Sequence, residues 1–255
     1  SYKVYLEAHL LEMDVKEKLQ DPSQRNFKYI DIIMLVYVLV LVLSNIASSA
    51  KIIDWGIRIG PLPLSFDAGT LLFPISYVIG DVMTEVYGFK RARRIIWIGF
   101  GAMVFSALIF RLIQILPGEA TWEAAVGQEQ YNQILGGMSS GAIITASLSG
   151  YLAGSFSNAI LMSVMKVLTK GKLLWTRTIG STIVGEAVDT SIFILVATAL
   201  GVFPQELFWS LTITNYIFKV LVETAITPLT YWVVNSLKHA ERVDIFDQDI
   251  QQSLN

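Results

Sequence analysis

Residues Tyr29–Ala50 read YIDIIMLVYVLVLVLSNIASSA, an apolar block of the ~20 residues that an α-helix needs to cross a bilayer. Five more blocks of this kind follow, at Asp67–Tyr87, Ile95–Leu116, Ser140–Leu168, Ile179–Leu200 and Leu207–Val234. They are apolar on nearly every face, so helical periodicity does not say which side meets lipid. The chain of 255 residues is 53% hydrophobic and 16% charged, with a mean hydropathy of +0.55. A soluble domain of this length carries ~25% charged residues and could not bury six such blocks. The expected fold is an all-α polytopic membrane protein with six transmembrane helices.

The basic residues set an orientation, because Lys and Arg collect in cytoplasmic loops near span ends. Lys3, Lys16, Lys18, Arg25 and Lys28 precede the first span. Lys90, Arg91, Arg93 and Arg94 follow the second, Lys166, Lys170, Lys172 and Arg177 follow the fourth, and Lys238 and Arg242 follow the sixth. With six spans all four groups share one face, which holds fifteen of the 19 basic residues. The other face has Lys51 and Arg58. Both termini are therefore expected in the cytoplasm, with segments 1–28 and 235–255 flanking a membrane domain over 29–234. The acidic loop with Glu119, Glu123 and Glu129 is then external, and Trp122–Leu135 within it reads as a short interfacial helix. Tyr2–Leu19 places Leu6, Leu10, Leu11 and Val15 at helical spacing, as in a membrane-surface helix or a solvated leader.

The net charge of −2 lacks the clustered excess of Lys and Arg that nucleic-acid binding needs. With no cysteine, a disulfide framework, a thiolate nucleophile and a Cys-ligated metal are excluded. The two histidines, His9 and His239, lie in the terminal segments, so no catalytic His is expected. No metal or cofactor is expected, and no phosphate-binding glycine loop is present.

Charges within the apolar spans carry the functional signal, since each costs roughly 2.5–3.5 kcal/mol at a helix centre. They are Asp81, Glu85, Arg111, Glu186, Asp189, Lys219 and Glu223. Arg111 lies near the outer end of its span and can snorkel. Asp81 and Glu85 are four apart, and Glu186 and Asp189 three apart, so each pair projects from one helix face. Such carboxylates grip a cationic or hydrogen-bond-donating solute, or carry a proton. For Glu85 the competing reading is a surface salt bridge with Arg91 or Arg94. Lys219 and Glu223 are also four apart, and either neutralise each other or face a solute. Asn45 and Asn158 add amides within spans.

The two halves of the chain echo each other. Ser44-Asn45 recurs as Ser157-Asn158, Gly80-Asp81 as Gly185-Glu186, and Phe110-Arg111 as Phe218-Lys219. Three spans per half give opposite polarities, so the expectation is two inverted-topology repeats, at about 29–116 and 140–234, with a site near the midplane between them. Pro74 and Pro228 offer places for helices to bend. The small residues from Ser139 to Ser163 predict a tightly packed fourth helix and leave a homodimer open.

The run Gly80-Asp81-Val82-Met83-Thr84-Glu85-Val86-Tyr87-Gly88-Phe89-Lys90-Arg91-Ala92-Arg93, with Gly185-Glu186-Ala187-Val188-Asp189-Thr190-Ser191-Ile192-Phe193 later, resembles the queuosine precursor transporter family. These are six-span bacterial inner-membrane proteins once grouped as vitamin uptake transporters. The resemblance implies import of 7-deazaguanine bases: 7-cyano-7-deazaguanine, its aminomethyl form, or queuine. Family members often carry an acid shortly after the Ser-Asn pair, where this chain has Ala159, Ile160 and Leu161. A deazaguanine offers a ring N–H beside an exocyclic amine, two donors that a carboxylate accepts side by side. The expected solute-binding set is Asn45, Asp81, Glu85, Asn158, Glu186, Asp189, Lys219 and Glu223, with Phe73, Tyr77, Trp97, Phe193 and Tyr216 as stacking candidates. The alternatives are a substrate-binding subunit of an energy-coupling-factor importer, and an intramembrane enzyme using paired carboxylates.

Overall fold

The computed structural model describes residues 27–59, 62–201, 205 and 208–245. The Tyr2–Leu19 reading and most of both terminal segments lie outside these residues. Helix α1 (Ile30–Ala50) leads into a β-hairpin, β1 (Ile52–Ile59) and β2 (Leu62–Asp67), and a 3-10 turn at Ala68–Leu71. Then come α2 (Phe73–Tyr87), α3 (Phe89–Ile115), two short helices α4 (Ala120–Ala125) and α5 (Gln128–Ser139), and three long ones, α6 (Gly141–Leu168), α7 (Leu174–Ala199) and α8 (Phe208–Glu241).

Among the described residues, five helical stretches are long and apolar enough to cross a membrane: Ile30–Ala50, Phe89–Ile115, Gln128–Leu168, Leu174–Ala199 and Asn215–Glu241. The bundle is apolar outside as well as inside. Leu35, Leu39 and Leu43 on α1, Phe105 and Leu108 on α3, Leu195 on α7 and Leu221 on α8 are all exposed. In water such a surface would drive aggregation, whereas lipid tails solvate it.

Two features depart from the all-helical expectation. The hairpin lies between the first two expected spans, with Ile53 opposite Phe66 and Ile59 opposite Leu62, and an irregularity between Asp54 and Arg58. Its Ile- and Trp-containing alternation suits strands, and Pro63 is tolerated because a two-stranded sheet has only edges. Second, the span expected from Asp67 becomes a 15-residue helix that starts at Phe73, where Pro74 is pre-set for a first turn. Ser44 on α1 donates to the Gly69 carbonyl at 3.0 Å and so anchors the non-helical lead-in. The acidic loop is helical, as α4 and α5, across the Trp122–Leu135 stretch expected as an interfacial helix. Glu119 caps α4 by accepting from the Thr121 and Trp122 amides and the Thr121 hydroxyl, which hold its carboxyl below the usual range.

Gly88 alone separates α2 from α3. It ends one helix and starts the next at φ +83, ψ 163, a backbone region that is close to glycine-only. The core lies where these helices meet, around Tyr37, Leu41, Met83, Val86, Tyr87, Ile95, Met103, Met162 and Val234.

Candidate functional site

Helix α7 carries Thr178, Thr182, Gly185, Glu186, Asp189 and Thr190 on one buried stripe, at the three- and four-residue spacing of a single helix face. Helix α6 meets it with Gly150, Gly154 and Asn158, also buried. The approach is close enough that hydrogen is the only tolerated side chain. A Cβ at Gly154 would stand 2.5 Å from the Asp189 Cβ and 3.0 Å from the Gly185 carbonyl, and a Cβ at Gly185 would stand 2.8 Å from the Asn158 Cβ. Gly150 and Gly154 of the fourth span are thus taken up inside one chain, against α7. Gly154→Ala is expected to destabilise the protein by about 1–3 kcal/mol through overpacking. Gly80→Ala, where a Cβ meets nothing within 4 Å, is expected to be neutral or slightly stabilising; thermal unfolding in detergent compares the two.

This packing brings one polar cluster together. Asn158 Nδ2 donates to Asp81 Oδ1 at 2.9 Å, joining α6 to α2. Lys219 on α8 places its Nζ 2.5 Å from Asp189 Oδ2 and 3.1 Å from Glu186 Oε2. Thr182 Oγ1 donates to Glu223 Oε1 at 2.7 Å. Asp81 and Glu186 are fully buried and Glu223 is 4% exposed. Four carboxylates and one ammonium therefore gather in the interior, and the ammonium contacts two of them, Glu186 and Asp189. Asp81 Oδ2, Asn158 Oδ1 and Glu223 Oε2 are buried with no hydrogen-bond partner among the described residues, an open set of acceptors. Pro74, Tyr77, Phe218, Val222, Lys219, Glu186 and Glu223 line a cavity of about 20 Å³, room for one water.

Several expected residues lie elsewhere. Asn45 donates to its own helix at the Leu41 carbonyl, 2.9 Å, and contacts the Met103 sulfur at 3.9 Å, on the α1–α3 side. Lys219 ion-pairs with Glu186 and Asp189 rather than with Glu223, because these acids on α7 point at it across the interface. Trp97 is half-exposed and packs edge-on against Phe100 and Phe156, away from the cluster. Phe193 lies against Gly150, and Tyr216 is half-buried on α8. Of the stacking candidates Tyr77 lines the cavity, while the Phe73 side chain lies outside the described residues. Arg111 is exposed, donates to Gln114 at 2.9 Å and borders a groove of about 560 Å³ between α3, α5 and α6.

Glu85 belongs to a second cluster at the opposite end of α2 from the hairpin. Its carboxylate takes two bonds from Arg177, Nη2 at 2.8 Å and Nε at 3.2 Å, and one from Lys238 at 2.6 Å. Lys166 lies 3.6 Å away and donates to the Glu85 carbonyl at 2.6 Å. Asp244 closes the network on Lys166 at 2.7 Å and Lys238 at 2.9 Å. Burial pushes the Asp244 carboxyl up, but the bonds from these two lysines outweigh it and hold it below its ordinary range. Neither Arg91 nor Arg94 is the partner. Arg91 donates to the Tyr87 carbonyl and stacks over Phe27 at 4.4 Å.

Sequence reasoning left out Thr182, Phe218, Arg177 and Lys166. Thr182 was reachable, since it sits one turn before Glu186. Arg177 and Lys166 were counted only as loop cations, and nothing local marks them as buried.

The family model described as "Putative vitamin uptake transporter" matches residues 67–233. The chain is 27% identical over 186 residues to the "Probable queuosine precursor transporter" of Bacillus subtilis (strain 168), covering 70% of this chain and 76% of that one. It is 26% identical over 156 residues to the "Queuosine precursor transporter" of Escherichia coli (strain K12), covering 60% and 66%. It is 25% identical over 169 residues to the "Probable queuosine precursor transporter" of Haemophilus influenzae, covering 65% and 67%. No solved structure matches the chain.

Proposed function

The chain belongs to the vitamin uptake transporter family, and on that premise we propose that it carries a 7-deazaguanine precursor of queuosine across the bacterial inner membrane by alternating access. The relatives it matches are named as transporters, which supports a solute-binding role for the carboxylates over the enzyme alternative. The observation that carries the substrate reading is the buried cluster of Asp81, Asn158, Glu186, Asp189 and Lys219. The unpartnered oxygens of Asp81 and Asn158 accept from the ring N–H and exocyclic amine, Lys219 donates to the carbonyl, and Tyr77 and Phe218 offer ring faces. Charge-assisted bonds of this kind are about twice as strong as neutral ones.

Six crossings and two cytoplasmic termini are supported by which helix ends meet. Glu241, at the end of α8, accepts from the backbone amides of Lys28 and Tyr29 at 3.0 and 2.8 Å, and from the Tyr87 hydroxyl at 3.1 Å. The start of α1 and the ends of α2 and α8 therefore share a face. The Glu85 cluster adds the end of α6 and the start of α7 to that face. A chain that enters and leaves on one side crosses an even number of times, so α2 with its 3-10 lead-in counts as the sixth crossing. Its shortness suits a broken helix at a transport site, where irregular backbone lines a cavity. The inverted repeats, at about 29–116 and 140–234, then place Asp81 in the first half against Asn158, Glu186, Asp189 and Lys219 in the second.

A cavity the size of one water does not hold a bicyclic base, so solute binding requires the lining helices to move apart. The Glu85 network ties α2, α6, α7 and α8 at one face, and its parting accompanies opening there. The test is uptake of labelled 7-cyano-7-deazaguanine by liposomes containing only this protein. The expected result is saturable filling to the external concentration. Saturable binding with no internal label would instead indicate the capture subunit of an energy-coupling-factor importer.

A further inference from the structure

Lys219 compensates at most one of the four central carboxylates, and it is committed to Asp189 and Glu186 on α7. That leaves Asp81 on α2 and Glu223 on α8. The groups that face Glu223 are the Thr182 hydroxyl and Glu186 from α7, Asp81 and Tyr77 from α2, and Lys219 one turn earlier on its own helix. The groups that face Asp81 are Asn158 from α6, Glu223 from α8, and Glu85 one turn later on its own helix. Neither Asp81 nor Glu223 has a cation within salt-bridge distance among the described residues, and each keeps one buried oxygen without a hydrogen-bond partner. Two facing carboxylates of this kind cannot both stay ionised in an apolar interior, and neutralisation by a proton is the inexpensive solution.

We propose that the Asp81–Glu223 pair is a proton-binding site, and that its loading and unloading couple solute movement to the proton gradient. This inference rests on the transport reading. Each acid accepts one hydrogen bond, Asp81 from Asn158 and Glu223 from Thr182, but Glu223 lines the cavity that can admit a proton-carrying water and Asp81 does not, so Glu223 is the group that takes the proton. Loading converts the Glu223 carboxylate to a carboxylic acid with no other bond made or broken. It leaves Asp81 ionised and able to accept the solute's N–H edge. One proton then accompanies each neutral solute inward, and both leave on the cytoplasmic side. The cavity beside Glu223 is wide enough for a water that relays the proton.

The experiment uses liposomes holding the full chain, labelled 7-cyano-7-deazaguanine, and either no gradient, a one-unit pH gradient acid outside, or a sodium gradient at equal pH. The expected result is filling to equilibrium without a gradient and accumulation to about tenfold with the pH gradient, one unit being a factor of ten. The sodium gradient has no effect. Glu223→Gln loses the response to pH and Glu223→Asp retains it. In the wild type, adding solute without a gradient also makes a weakly buffered external medium more alkaline, a readout that does not depend on how the variants fold. Equal filling with and without the pH gradient overturns the proton site while leaving the transport reading standing, and so does accumulation driven by sodium. No filling under any condition overturns both.

Discussion

Glu85→Leu is expected to cost the protein about 3–5 kcal/mol of stability, the penalty for leaving buried charge without its partner. In the wild type this one carboxylate receives Arg177 twice and Lys238 once, with Lys166 beside it. Arg177 is fully buried and Lys166 is 2% exposed, so neither can turn to water when the acid is lost. Asp244 still reaches the two lysines, but Arg177 keeps only the carbonyl of Lys172 and the Thr169 hydroxyl. Replacing the pair together, as Glu85→Leu with Arg177→Met, should restore much of the loss, because a well-packed apolar substitute is often as stable as a buried ion pair. Thermal unfolding of the purified protein in mild detergent measures both. If the single variant unfolds at the wild-type temperature, the network is not holding the helix ends together. If the double variant is worse than the single, the ions contribute more than their mutual neutralisation.

The second large effect is expected at the solute site. Glu186→Gln should lower apparent affinity for 7-cyano-7-deazaguanine by roughly 10–100-fold, the equivalent of ~1.5–3 kcal/mol for a hydrogen bond to a charged group. Glu186 shares Lys219 with Asp189, so its loss leaves the lysine wholly to Asp189, 2.5 Å away, and less able to donate to the solute carbonyl. Lys219→Met should be as damaging for a different reason, since it leaves Glu186 and Asp189 side by side with no cation between them. Asn45→Ala, on the α1–α3 side, should leave affinity within about twofold. Concentration-dependent uptake by liposomes checks all three. A wild-type affinity for Glu186→Gln would remove that residue from the site, and a large loss for Asn45→Ala would place the site nearer α1.

The spans were legible because hydropathy is a local property, and each long helix overlaps its apolar block, with ends that differ by up to seven residues. The second span was misjudged at its start. Asp67 through Leu72 are apolar enough to count in a helix, but they carry a strand end and a 3-10 turn, and Pro74 sets where the helix begins. The charges were legible as expensive, and Asp81, Asn158, Glu186, Asp189 and Lys219 do converge. Partner choice was not legible, because it depends on which helices become neighbours. Lys219 and Glu223 are close in sequence, yet the acids on α7 capture the lysine. Glu85 has four arginine and lysine residues just ahead of it, at Lys90, Arg91, Arg93 and Arg94, yet bonds to cations 92 and 153 residues away. Asn45 and Asn158 look equivalent in the repeat, but only Asn158 faces a carboxylate. Local spacing tells which groups share a helix face, and it says nothing about what that face meets.

The wide sequence separation within the Glu85 network also bears on how the chain is made. At synthesis rates of about 5–20 residues per second, α2 emerges on the order of 5–20 s before Arg177 and longer before Lys238. For that interval the newborn helix holds an acid whose cations do not yet exist, which opposes its settling at full depth in the bilayer. Helix α2, at 15 residues, is also shorter than each of the five long apolar helices among the described residues, so its own apolar content does little to hold it there. Final seating of the amino-terminal half therefore waits for α7 and α8 to arrive. A nascent chain stopped after α3 should leave α2 accessible to water-borne labelling reagents, and extension past Lys238 should protect it.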